Sequence, residues 1–180
     1  GVPPEQFRYW ITVENVLHGC TLIIPKMAFV VCGNFNENLQ TTQDYELWFR
    51  LAERYQFIHV PQPLVKARSH LGQGSLRLAN LARAECEKLL SGFVLSLSKH
   101  ELCVATGKSV AESYVALAAN MWSRGFRASG WVAAWRSLST LFSSPYFGAN
   151  ALVRLIGEFL RWYVTTPLRN RISAAVRVLH

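Results

Sequence analysis

The side chains able to do chemistry in this chain are few and scattered. Asp44 is its single aspartate, and the five histidines stand at positions 18, 59, 70, 100 and 180. No Gly-rich phosphate loop, HExxH or GxSxG motif occurs, so P-loop and common hydrolase chemistry have no local support. What remains are polar groups beside predicted strand and helix ends: His18 before Gly19, the Asn34–Asn38 loop, Asp44, and Arg68-Ser69-His70 ahead of Gly72-Gln73-Gly74. Asp44 falls in the first turn of a predicted helix, where backbone N–H groups favour the ionised carboxylate. It can accept a proton there, or simply cap the helix. An imidazole and a guanidinium at 70 and 68 suit a diphosphate or a divalent ion. The plainer alternatives are a loop histidine and an edge-strand cation. Glu46 and Glu53 read as solvated helix positions and His59 as a packing residue. His18 stays open between the two kinds of role, and His100 and His180 carry no signal.

The elements that must position these groups can be read from periodicity and punctuation. Phe7, Trp10, Val13 and Leu17 follow a helical spacing over residues 5–17. Cys20–Ile24, ended by Pro25, predicts a buried strand. A short helix or turn over 26–31 and a turn-rich loop over 33–38 follow. Thr41 and Asp44 form a predicted capping box for a helix running to about Tyr55, with Leu47, Leu51 and Trp48 inward. Residues 57–60 and 64–69 predict a second and a third strand, the latter near a sheet edge. Beyond Gly72–Ser75 the pattern turns wholly helical. Ser75 caps a helix whose inward set is Leu78, Ala82, Cys86, Leu89, Phe93 and Leu97. Further helices are expected over 109–123, 128–142 and 149–164, with breaks at Arg124-Gly125 and Ser143–Pro145. A last one starts at Pro167 with Thr166 as its cap.

Length and composition describe a well-packed chain with little charge: 180 residues, 51% hydrophobic and 17% charged, which excludes disordered and low-complexity classes. The net charge of +8 is unevenly placed. Residues 1–75 carry six basic and six acidic groups, and 76–123 carry five against four. Residues 124–180 hold eight arginines against Glu158 alone. Such a segment suits an anionic membrane surface, an acidic protein or a nucleic acid. Nucleic acid is the least favoured, because basic and aromatic residues do not interleave over a recognisable sheet or recognition helix. In 151–164 the charged Arg154, Glu158 and Arg161 make a narrow stripe among apolar neighbours, and Arg169 and Arg177 make another in the last predicted helix. A helix lying on a membrane has this composition, as does one packed on its neighbours. The four cysteines lack metal-site or CxxC spacing and read as isolated thiols in a reducing, cytoplasmic setting, while spacing alone leaves pairing open. No apolar run is long enough to span a bilayer, and the amino end lacks signal-peptide character.

Four segments in order carry a family resemblance: His18–Lys26, Gly33–Leu39, Gln43–Ala52 and Pro61–His70. Together they look like the carboxy-terminal half of a family 2, GT-A-type glycosyltransferase catalytic domain, over roughly residues 15–76. The fold class this implies is α/β. Residues 1–75 would form an incomplete GT-A-like (Rossmann-like) sheet portion, and 76–180 an all-helical tail of four to five helices. The implied activity is inverting transfer of a sugar from a nucleotide-diphosphate donor to a hydroxyl acceptor, assisted by Mg²⁺ or Mn²⁺ in the complete enzyme. By the same resemblance Asp44 matches the general base. His18, Gly19 and Cys20, with Asn36 and Glu37, match the acceptor side, and Arg68 and His70 the diphosphate and its metal ion. Gln43 stands where the family commonly has a second acid. The nucleotide-binding half has no counterpart in residues 1–14, so these residues alone are expected not to turn over. The alternative is a non-catalytic helical interaction module that uses its basic C-terminal helices on a membrane surface or an acidic partner. Placement is expected to be cytoplasmic, with peripheral contact on the inner face of a membrane.

Overall fold

A computed structural model describes residues 2–14, 17–66, 77–143 and 149–178, with backbone alone for 149–150 and 166–178. Every regular element among them is helical. In chain order these are α1 (Pro4–Val13), a 3₁₀ turn (Gly19–Thr21), α2 (Lys26–Cys32), α3 (Gln43–Leu51), α4 (Ala79–Ser96), α5 (Lys99–Thr106), α6 (Val110–Arg124), α7 (Arg127–Phe142) and α8 (Ala149–Val178). They fall into two compact units, Gly1–Gly107 and Lys108–His180.

No β-strand occurs among the described residues, which overturns the α/β, GT-A-like fold class. Cys20–Ile24 has strand-like composition, but Gly19–Thr21 closes a 3₁₀ turn through the Thr21 N–H and hydroxyl, both donating to the His18 carbonyl. Leu22 is extended, at φ −101° and ψ 136°, yet the segment belongs to no ladder, and Ile23 is 98% exposed. Residues 57–60 and 64–66 also lack regular structure, and Ile58 is 84% exposed. A strand requires a neighbour to take its N–H and C=O groups, and Pro25, Pro61 and Pro63 remove donors where a ladder would form. Composition alone does not supply that neighbour.

The first unit is built around α3. Its Leu47, Trp48 and Leu51 are buried, as read from sequence, and so are Tyr45 and Phe49. Phe49 stacks on Phe93 of α4 with ring centroids 3.7 Å apart, and Tyr45 meets the same ring edge-on at 5.2 Å. The Tyr45 hydroxyl donates to the Ile11 carbonyl at 2.6 Å, tying α3 to α1. In α1, with Pro4 in its first turn, Tyr9, Ile11, Thr12 and Val13 face inward, while the helix packs against α5. Phe7 instead lies against Phe57 at 4.5 Å. Arg8 stands over the Phe49 ring at 4.4 Å and pairs with Glu101 of α5 at 3.2 Å, so one part-buried guanidinium joins three helices.

The predicted Thr41–Asp44 capping box does not form. Glu85, buried on α4, accepts from the Gln40 N–H at 2.8 Å, the Thr41 N–H at 3.0 Å, the Thr41 hydroxyl at 2.5 Å and the Thr42 hydroxyl at 3.1 Å. This carboxylate organises the entry to α3 from outside the helix. Burial acts to raise its pKa, but the hydrogen bonds from Gln40, Thr41 and Thr42 outweigh that and hold it at about 2. On the exit side of α2, Gly33 sits at φ +82°, a backbone position that disfavours any Cβ. Arg50 clamps that turn by donating to the Cys32 and Asn34 carbonyls while held by Glu46.

Tyr9 supplies a pH test of this unit. Burial pushes its phenol from 10.0 up to about 12, so the unfolded chain ionises first as pH rises. Its contribution to stability is complete below pH 10 and lost between 10 and about 12. Unfolding midpoints should fall across that window, and Tyr9→Phe should flatten the fall.

In the second unit, α6 opens with a complete capping box. The Glu112 N–H donates to the Ser109 hydroxyl oxygen, and the Glu112 carboxylate accepts from the Ser109 N–H. Gly125, at φ +82°, ends the helix where the Arg124-Gly125 break was read. Then α7 returns along α6 on a face of small residues: Ser129, Gly130, Ala133, Ala134 and Ser137 are all buried. The Ser137 hydroxyl donates to the Ala111 carbonyl at 2.9 Å. Buried Trp122 stands at the centre, with Trp131, Phe159 and Trp162 rings 5.5 to 5.8 Å away. The two helices expected over 149–164 and from Pro167 are one continuous element, so the Thr166-Pro167 start signal is overridden. Ser75 lies outside the described residues, and the helix after it begins at Ala79.

Candidate functional site

Two places in the chain concentrate side chains with functional character, one in each unit. The first surrounds Asp44. Its Oδ1 accepts from the neighbouring Tyr45 N–H at 2.7 Å, and the residue is half-buried in the first turn of α3. The 3₁₀ turn lies against it: a Cβ on Gly19 would stand 3.1 Å from Asp44 Oδ2 and 3.6 Å from the Trp48 ring. Within the exposed turn, Cys20 Sγ lies 3.1 Å from His18 Nδ1. Gly19 and Asp44 are therefore neighbours. Asn36 folds onto its own loop, its Oδ1 accepting from the N–H and side-chain amide of Asn38 at 3.1 and 3.2 Å, and Glu37 is exposed. Arg68 and His70 lie outside the described residues.

The described residues around Asp44 lack the sheet on which a GT-A sugar-transfer crevice is built. The expected crevice needs strand ends from a parallel sheet, and the described residues contain none. They also hold no group of three or more His, Cys, Asp or Glu side chains placed to share a metal ion. The reading of this chain as part of a GT-A transferase, with its enzyme assignment, is corrected on those grounds. None of the four cysteines is in a disulfide.

The second place is the outer surface of the second unit. On α8, Val153, Ile156, Leu160, Tyr163 and Val164 are exposed and fall within one arc of the helix. Arg154 and Arg161 border the arc. Arg154 reaches Glu112 at 3.2 Å and Arg161 reaches Glu158 at 3.3 Å, and Arg161 remains 73% exposed. The Ser109 hydroxyl bond, ahead of the nearby Arg154 and Lys108 charges, holds Glu112 below the usual carboxylate range despite opposing burial. On α7, Trp131, Trp135 and Phe142 are exposed along a second stripe with half-buried Leu138 between them. Trp131 lies 5.3 Å from Phe159, which lies 6.1 Å from Tyr163, so a chain of rings joins the two stripes. The sequence reading found the α8 pattern and missed the one on α7. Its spacing of four, three and four was visible, but such a stripe is usually core, and only the structure shows it turned outward. Among the described residues no helix is long and apolar enough to cross a membrane.

Comparison with known proteins gives a sequence relationship without a fold. The chain is 31% identical over 168 residues to a protein of Rickettsia felis described as an uncharacterized glycosyltransferase, covering 93% of this chain and 25% of that protein. A Rickettsia conorii protein of the same description is 30% identical over the same extent. A third, from Rickettsia prowazekii, is 35% identical over 97 residues, covering 54% of this chain and 30% of that protein. The chain thus spans about a quarter of the length of the first two relatives. These names support a sequence link to proteins called glycosyltransferases, while the described helices do not form the GT-A fold expected from that link. No family model matches the chain. No solved structure matches it.

Proposed function

We propose that this chain is a non-catalytic helical interaction module whose arginine-rich second unit docks on an anionic membrane surface. The observation that carries the reading is the outward arc of α8, where five apolar side chains lie exposed beside Arg154 and Arg161. A helix in contact with water alone gains nothing from such a face. At a lipid headgroup boundary the arc enters the apolar edge while the guanidinium groups meet phosphates. The eight arginines against one glutamate over 124–180 supply the attraction. Each basic group near an anionic leaflet contributes about 1 kcal/mol, diminished by salt. The Rickettsia felis and Rickettsia conorii relatives named as glycosyltransferases are about four times as long, and in this reading the shared segment contributes attachment and not sugar transfer.

The test is sedimentation of the chain with phosphatidylglycerol-containing and purely zwitterionic vesicles across a salt series. Binding to the anionic vesicles that weakens as salt rises is expected. Arg161→Glu reverses one exposed charge and should lower the partition coefficient about tenfold or more. Equal binding to both vesicle types, or none to either, contradicts the reading. In the latter case an acidic protein partner becomes the better account of the arginines.

A further inference from the structure

We infer that the stripe on α7 is the insertion element of this unit, with Trp135 and Phe142 entering the boundary between lipid headgroups and acyl chains. The inference rests on the membrane reading and adds what anchors the unit once charge has brought it to the surface. Trp135 is 70% exposed and Phe142 76% exposed, although both are large apolar side chains. With Trp131 and half-buried Leu138 they occupy positions 131, 135, 138 and 142, one line along the helix. Tryptophan combines an apolar ring with an N–H donor, and such rings are favoured where one end meets hydrocarbon and the other water.

Charge on the same elements selects the occupant. No acidic residue occurs in α7, whose charged residues are Arg127 and Arg136. Glu158, the acid among the described side chains of α8, is already paired with Arg161. An apolar line on a helix whose two charged residues are both cations complements an anionic lipid boundary. The ring series from Trp131 through Phe159 to Tyr163 makes the stripe continuous with the arc on α8, giving a two-helix footprint within a single unit. Charge alone would leave these rings in water, whereas insertion removes them from it and makes part of the binding resistant to salt.

The experiment uses the full chain and vesicles of phosphatidylglycerol and phosphatidylcholine with bromine on the acyl chains. Tryptophan emission should be quenched on binding, and Trp131→Phe/Trp135→Phe should lose most of that quenching. Trp135→Ala/Phe142→Ala should lower partitioning at high salt by about tenfold or more, a cautious reading of two buried aromatic rings. Its thermal melt should match the parent, since both positions are exposed. Trp135→Phe, which keeps an apolar ring, should retain most of the binding. Salt-sensitive binding without quenching, or quenching unchanged in the double phenylalanine variant, overturns the insertion while leaving surface docking intact. Failure of the parent chain to bind anionic vesicles removes both.

Discussion

Glu85→Ala is expected to cost the first unit about 3 kcal/mol or more, read as a shift in its chemical denaturation midpoint. The estimate follows from the number of donors that would lose their acceptor. Two backbone N–H groups and two hydroxyls of residues 40–42 converge on this buried carboxylate, and removing it takes away the acceptor they share. Glu85→Gln keeps an acceptor oxygen but loses the charge, so it should cost less. The same contacts predict an acid dependence. With a folded pKa of about 2 against an ordinary 4.5, the unfolded chain takes up the proton first as pH falls. The stabilisation is complete above 4.5, declines as pH drops toward 2, and should be absent from the pH profile of Glu85→Gln.

The second large effect belongs to Gly130. A methyl group there would overlap the Trp122 indole, which is buried among Trp131, Phe159 and Trp162. The ring has no easy place to move. Gly130→Ala should therefore destabilise the second unit by about 3 kcal/mol, the upper range of overpacking, despite the higher helix propensity of alanine. Gly92, on α4, provides the contrast. A Cβ there meets nothing within 4 Å, so Gly92→Ala should be neutral or mildly stabilising. Thermal melts of the two variants should move in opposite directions or by very different amounts.

How far the sequence could be read depended on whether an element's determinants were local. The ranges 109–123 and 128–142 and the break at Arg124-Gly125 were legible in sequence, and α6 and α7 follow them closely. The Ser98–Glu101 capping box that opens α5 was equally local, yet that helix went unread behind the longer pattern before it. Entry to α3 was different. The local Thr41–Asp44 signal was overridden by Glu85, 44 residues beyond Thr41, whose bond to the Thr41 hydroxyl no local window contains. The β-branched runs near 22 and 58 failed for a related reason. Their strand propensity is a preference for a pleated, partnered surface, and the described structure offers them no pairing strand.

Site reading divided along the same line. The proximity of Gly19 to Asp44 is present, but among the described residues there is no sheet to make a crevice of it. The basic stripe on α8 could be read because charge and periodicity are local properties. The exposure of Trp135 could not, since a tryptophan at helical spacing gives no indication of which side of the helix meets water.

Amide hydrogen exchange of the full chain with and without anionic vesicles tests the docking claim most directly. Peptides from 127–143 and 149–165 should gain protection on binding, while those from 26–32, whose Met27, Val30 and Val31 are also exposed, should not change. Protection confined to 26–32, or no change anywhere in the second unit while the chain is vesicle-bound, would contradict the account.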